Sequence, residues 1–252
     1  MNQTPKQRMP YLWLTDNALH DLLPDPDSAL DEPNGLLAAG GALDPQSLLN
    51  AYSSGVFPWF NSDDEAILWW SPDPRGIIEP GSVKVSRSLA KRIRSGVFRV
   101  TADCDFAGVI AGCAERRVSH ASGYDNDEPC EEGTWITATM GRAYLELHRQ
   151  GYAHSVEVWE EHQLVGGLYG VALGGVFFGE SMFSRRSDAS KIALVTLASA
   201  LVARGFGLID CQHLTPHLAS LGAVELSRDQ FLKRLTELIG QPGWPGRWRF
   251  DL

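Results

Sequence analysis

"AHSVEVWEEHQLVGGLYGVALGGVFFGESMFS", residues 153–184, alternates apolar and polar side chains in SVEVW and is interrupted by glycine pairs at 166–167 and 174–175. A period of two buries one face of a strand, and paired glycines supply tight turns, so the stretch predicts several antiparallel strands joined by hairpins. Downstream, "DASKIALVTLASALVARGF" (188–206) is a helix with Asp188 or Ser190 near its start and Gly205 at its end. "GLIDCQ" (207–212) is a short strand and "SRDQFLKRLTELIG" (227–240) a last helix. Upstream lie a strand, "VFRVTAD" (97–103), and two helices, "FAGVIAGCAERR" (106–117) and "TMGRAYLELHRQG" (139–151). The order β-α-α-β-β-β-α-β-α predicts an α+β domain with a mixed, largely antiparallel sheet, not a doubly wound repeat.

The part before residue 75 reads as shorter pieces. In "ALDPQSLLNAYSSG" (42–55), Asp44 is the N-cap, Pro45 the first helical residue and Gly55 the stop. "EPNGLLAAGG" (32–41) reads as a turn. "SPDPRG" punctuates the chain, which predicts a small N-terminal domain over 1–74 and a second domain over 75–252.

At 252 residues the chain is long enough to bury a substantial core. Apolar runs such as 192–195 and 198–203 fall far short of a membrane span, and the N-terminal stretch has no apolar signal-peptide segment. Cys104, Cys113, Cys130 and Cys211 form no C-x-x-C and no framework. These features predict a cytoplasmic protein in a reducing compartment.

The net charge of −9 hides a cationic stretch. "GSVKVSRSLAKRIRSGVFRVTA" (81–102) contains Lys84, Arg87, Lys91 and Arg94 and no acid. A helix capped by Ser86 and stopped by Gly96 stacks Arg87, Lys91 and Arg94 on one face. A solvated helix balancing acids elsewhere would look the same, but phosphate is the partner such a field attracts best.

Aromatic side chains are also concentrated. "GVFPWFNSDDEAILWW" (55–70) holds Phe57, Trp59, Phe60, Trp69 and Trp70 in a segment too broken to be a helix, as a surface for a flat ligand requires. In "LIDCQ", strand alternation places Asp210 and Gln212 on one face, where a carboxylate and an amide together hold a reacting amine. Glu180 ends a strand between Gly179 and Ser181, available to an ammonium group. Leu194, Leu197 and Leu201 form a helical stripe with Met182 nearby, which serves either as core or as the wall of a side-chain pocket.

Several chemistries are excluded. "GESMF" lacks the second glycine of a nucleophile elbow. His213 and His217 are separated by Pro216, His148 and His154 have no ligands at metal spacing, and "GGLYGVALGG" opens no helix. No metal is expected.

Seven motifs together resemble the leucyl/phenylalanyl-tRNA–protein transferases: "EPNGLLAAGGALDP", "YSSGVFPWF", "ILWWSPDPRG", "EEGTWIT", "AHSVEVWEEHQLVGGLYGVALG", "FFGESMFSRRSDASKIAL" and "LIDCQHLTPHLASLGA". They run co-linearly from about residue 31 to 224; residues 1–30 match no motif, and the loop from Val118 to Cys130 is longer than the family's. The resemblance implies a small N-terminal α/β domain followed by a GNAT-like domain. It implies transfer of Leu, Phe and less readily Met from aminoacyl-tRNA to proteins beginning with Lys or Arg, which marks them for degradation through the N-degron pathway. By motif, Trp59 and Trp135 would contact the terminal adenosine, and Met182, Leu194 and Ile209, with Leu168 close by, would line the donor side-chain pocket. Asp210 and Gln212 would form the reaction centre, Glu180 would hold the donor's amino group, and Lys84, Arg87, Lys91 and Arg94 would seat the tRNA backbone. The donor ester is already activated, so no cofactor is expected.

Three alternatives compete. An acetyl-CoA enzyme needs a glycine-rich pyrophosphate loop, and "SRRSDASK" has no glycine. A cell-wall aminoacyl-tRNA transferase normally needs more chain. A tRNA-binding module would retain tRNA without transferring its amino acid.

Overall fold

A computed structural model describes residues 12–14, 23–115, 117–118, 131–132 and 136–250. The N-terminal part contributes β1 (Leu12–Leu14), β2 (Leu36–Gly40), α1 (Pro45–Ser53), β3 (Phe57–Pro58) and β4 (Leu68–Trp70), with the strands in the order β1-β2-β4-β3. Helix α1 starts as its sequence predicts: the Asp44 carboxylate accepts from Ser47 N at 3.1 Å, Pro45 follows, and Gly55 adopts φ +77° beyond the last turn. "EPNGLLAAGG" differs from the expected turn. Glycines at φ +87° (Gly35) and +90° (Gly40) bracket it, and the buried apolar residues between them pair with β4 as a strand.

The rest of the chain forms β5 (Arg75–Ile78), α2 (Arg87–Arg94), β6 (Phe98–Ala102), α3 (Phe106–Ala114), the short pair β7 (Arg117–Val118) and β8 (Glu131–Glu132), and α4 (Ala138–Arg149). It continues with β9 (Ala153–Glu160), β10 (Gln163–Leu173), β11 (Val176–Ser184), α5 (Ala189–Ala203), β12 (Leu208–Gln212), α6 (Pro216–Ser220), β13 (Val224–Leu226) and α7 (Arg228–Ile239). Seven strands make one sheet in the order β13-β5-β12-β11-β10-β9-β6. Every neighbouring pair is antiparallel except β11 and β12, which α5 connects as a parallel crossover. This is the mixed, largely antiparallel sheet of an α+β fold.

Each face of the sheet has its own core. On one face α1, α3, α4 and α7 bring Leu48, Phe106, Met140 and Phe231 against Tyr169 and Phe178. That core also takes in Phe57 and Trp69, so the N-terminal sheet shares it. On the other face α5 lays Ile192, Leu194, Leu197 and Leu201 over Val156, Leu168, Phe177 and Ile209, and Trp248 of the C-terminal segment completes the layer. Among the described residues, no helix is long and apolar enough to cross a membrane.

Two departures from regular pairing create the site. Strands β11 and β12 pair only from Val176–Leu208 to Phe178–Asp210 and then part. Past that point each strand carries a bulge. Glu180 is the extra residue between Gly179 and Ser181 opposite β10, and Cys211 the extra residue between Asp210 and Gln212 opposite β5. Bulges re-aim side chains and break the two-residue alternation.

Candidate active site

The parted strands open onto a cavity of about 430 Å³. Six predicted residues line it: Leu168, Glu180, Met182, Leu194, Ile209 and Gln212. Their elements explain the meeting. Leu168 pairs with Met182 across β10 and β11, Leu194 descends from α5, and Ile209 and Gln212 come from β12. Phe177 and Leu197 deepen the apolar part, while Leu201 of the expected stripe lies in the core instead. The lining is mostly apolar; Glu180 and Gln212, hydrogen-bonded to each other, form one polar end, and Thr215 and His217 add polar groups from the segment after β12, a mix usual in small-molecule sites.

Asp210 does not line this cavity. Alternation placed its side chain beside that of Gln212, but the bulge at Cys211 and the left-handed backbone of Gln212 (φ +57°) break the alternation. Gln212 turns toward the cavity with Ile209 and Cys211, while Asp210 is 0% exposed on the opposite face. There its carboxylate receives both arms of Arg75, Nε at 2.8 Å and Nη2 at 2.7 Å. Arg75 also donates to Gly55 O at 3.1 Å and lies between the rings of Phe57 and Phe231. Asp210 reaches the cavity only through the backbone, its Oδ1 accepting from Gln212 N at 3.0 Å.

Glu180 has a different setting. Tyr52 of α1 donates to its Oε1 at 2.7 Å and Tyr144 of α4 to its Oε2 at 2.6 Å, and the two hydroxyl oxygens lie in contact with each other, with one proton apiece to share among the three pairings. Gln212 Nε2 donates to Oε1 at 3.4 Å, closing the polar end of the cavity. Burial pushes the Glu180 carboxyl up to about 7; the hydrogen bonds from Tyr144 and Tyr52 oppose the rise, Asp210's charge adds to it and Arg75's opposes it. Burial, followed by the charge of Glu180, pushes both tyrosines well above their ordinary range, so they remain hydroxyl donors. Sequence reading missed Arg75, Tyr52 and Tyr144. Both tyrosines sit on the buried stripes of their helices, after Leu48 and Ala51 and after Met140 and Ala143, and a hydroxyl on such a stripe signals a buried partner.

Trp59 is 40% exposed, with its ring edge against Trp70 and its centroid 6.5 Å from the His213 ring, one residue past Gln212. An accessible indole therefore stands against the ring of the residue that follows Gln212. Phe57, Phe60 and Trp69 of the same aromatic stretch are buried core. Trp135 and Cys130 lie outside the described residues. Lys84, Arg87, Lys91 and Arg94 are all exposed, and α2 is capped by the Ser86 hydroxyl on Leu89 N and followed by Gly96 at φ +68°. Among the described residues, no group of His, Cys, Asp and Glu gathers in a metal-binding arrangement.

Residues 77–236 match the family model described as leucyl/phenylalanyl-tRNA protein transferase, and residues 41–73 match that of the same enzymes' N-terminal domain. A protein named leucyl/phenylalanyl-tRNA–protein transferase from Shewanella halifaxensis is 53% identical over 215 residues, 85% of this chain and 86% of its own. This chain belongs to the leucyl/phenylalanyl-tRNA protein transferase family. A second protein of that name, from Alkalilimnicola ehrlichii, is 50% identical over 95% of this chain and 88% of its own. Membership of this transferase family makes the chain an enzyme, and the stretches matched to the family contain Trp59, Glu180, Asp210 and Gln212. Among solved structures, a GCN5-related N-acetyltransferase from Kribbella flavida aligns over 76% of the chain and 68% of its own at 13% identity and a TM-score of 0.35.

Proposed function

We propose that this transferase moves leucyl, phenylalanyl and, less readily, methionyl groups from aminoacyl-tRNA to the α-amine of proteins that begin with Lys or Arg. The new N-terminus then marks the protein for degradation in the cytoplasm through the N-degron pathway. The observation that carries the reading is the cavity itself: a mostly apolar lining in which Glu180 and Gln212 stand together, with the accessible Trp59 against the ring of His213, one residue past Gln212. Unbranched and γ-branched side chains enter such an interior, whereas Val and Ile are crowded at Cβ.

The reaction is aminolysis of an ester. The acceptor nitrogen attacks the ester carbonyl, a C–N bond forms, the bond to the ribose oxygen breaks, and the proton lost by the amine ends on the departing ribose oxygen, restoring its hydroxyl. An N-terminal amine with a pKa of about 7.7–8 is partly neutral at pH 7, so alignment supplies much of the rate. Glu180 holds the donor's amino group at the polar end, and Gln212 orients the attacking amine. Asp210 is a positioning residue: paired with Arg75, it fixes the Gln212 backbone. Trp59, with Trp135, receives the terminal adenosine, a stacking contact of about 1–3 kcal/mol per base. Lys84, Arg87, Lys91 and Arg94 contact phosphates, which gives affinity without sequence reading and admits several tRNAs. The ester is activated before it arrives, so the residues act by binding and orientation.

Labelled Phe-tRNA offered with peptides beginning Arg, Lys and Ala tests this assignment. Label passes to the first two and not to the third; equal labelling of all three, or tRNA retention with no transfer, overturns it.

A further inference from the structure

The segment after α7 lies beyond the stretch matched to the family, yet its Trp248 is completely buried. It is tied down as a strap. Trp248 N donates to Asp103 Oδ2 at 2.6 Å, and the Arg247 guanidinium donates twice to Asp103 O, at 2.9 and 2.6 Å. Flat groups pile onto it in a column. Arg204 stands 4.3 Å over Trp244, Trp244 stacks on Trp248 at 4.4 Å, and Trp248 stacks on His154 at 3.8 Å. The indole N–H of Trp248 donates to Trp244 O at 2.8 Å, which fixes the column's pitch.

Trp248 also meets Phe177, with ring centroids 5.9 Å apart. Phe177 is the β11 residue whose ring lines the apolar interior of the cavity. Another side of that ring presses on Gly170, where a Cβ would stand 2.6 Å from the Phe177 ring. The ring thus stands between the Gly170 backbone, the cavity and Trp248, within the core that α5 also covers. Gly170 has no side chain to adjust, and Trp248 is the aromatic ring that backs Phe177, so Trp248 is a principal support of the ring's position.

We propose that the C-terminal strap sets the depth of the donor cavity, with Trp248 acting as a positioning residue for Phe177 and so determining the balance between leucyl and phenylalanyl donors. The inference rests on the transferase reading above. With Trp248 trimmed, the Phe177 ring tilts into the vacated space and the cavity deepens. A phenyl donor fills the added depth, whereas a leucyl donor leaves it empty and loses dispersion contacts.

The test compares kcat/KM for Leu-tRNA and Phe-tRNA, with one Arg-initiated peptide, in the wild type, Trp248→Ala and Trp248→Phe. The ratio of the two values cancels the folded fraction in each sample, so a destabilised preparation still reports. Trp248→Ala moves the Phe-to-Leu ratio toward Phe by about fivefold or more, mainly through the KM of the leucyl donor, and Trp248→Phe moves it less in the same direction. If Trp248→Ala yields no folded protein, the Trp248→Phe ratio decides, with a shift of about twofold toward Phe expected. Equal losses for both donors, an unchanged ratio, or a shift toward Leu overturns the inference. A wild type that transfers neither donor overturns the transferase reading instead and removes the ground beneath this one.

Discussion

Asp210 and Glu180 stand on neighbouring strands at the same parting of the sheet, and they are built in opposite ways. Asp210 is sealed, held by both arms of a guanidinium that is itself buried between two rings. Glu180 is held by hydroxyls and an amide and opens onto the cavity. A full countercharge fixes a carboxylate in place. Neutral donors leave burial unopposed by an adjacent countercharge, so the group exchanges its proton near neutrality. One acid braces the site and the other is available to substrate.

The sharpest way to break this contrast is to remove the countercharge. Arg75→Met strands Asp210 in a dry environment and lowers unfolding free energy by about 3–5 kcal/mol in urea melts, and adding Asp210→Leu restores most of it. A loss below about 1 kcal/mol would mean that Asp210 is not the sealed partner described. Next comes Glu180→Gln, which lowers transfer about a hundredfold, or about 2.7 kcal/mol. Its stability moves the other way. Folded Glu180 binds its proton more tightly than the ordinary 4.5, so its contribution favours folding in acid and is lost as pH rises through about 7. Glu180→Gln is therefore more stable than wild type at about pH 8, by about 1–3 kcal/mol, and the gain shrinks as pH falls and disappears by about pH 4, below the ordinary carboxyl value. A gain independent of pH in thermal melts contradicts the account. The smallest effect belongs to Tyr144→Phe. Removing a donor that lowers the Glu180 pKa shifts the acid limb of the pH–rate profile upward by about one unit, with the rate at about pH 9 within about threefold of wild type. A limb that stays in place assigns Tyr144 to packing alone.

Local rules carried much of the fold. Asp44 and Ser86 cap the helices their sequences predict, the SVEVW alternation produces β9, and the glycine pair at 174–175 turns β10 into β11. The expected turn at 166–167 is absent, because Gly166 and Gly167 pair within β10 and the β9–β10 turn falls at Glu161 and His162. Leu168, Met182, Leu194 and Ile209 line one cavity because each combines a motif match with an apolar face. What escaped sequence reading depends on distance or irregularity. Arg75 finds Asp210 across 135 residues, and Tyr52 and Tyr144 come together from two helices 92 residues apart. The bulge at Cys211 defeats alternation at the very pair on which the reaction centre had been placed, since nothing in "LIDCQ" announces an extra residue opposite β5. The strand within "EPNGLLAAGG" was hidden by the glycines at its ends.

Because β11 and β12 cease to pair at Phe178 and Asp210, the site is a notch in a sheet, not a hollow between lobes. Drift can change the side chains that furnish such a notch one at a time. Moving its floor requires threading a strand by two residues, since a single step turns every inward side chain outward. The range of admissible cargo is thus inherited with the topology, and point changes only trim within it.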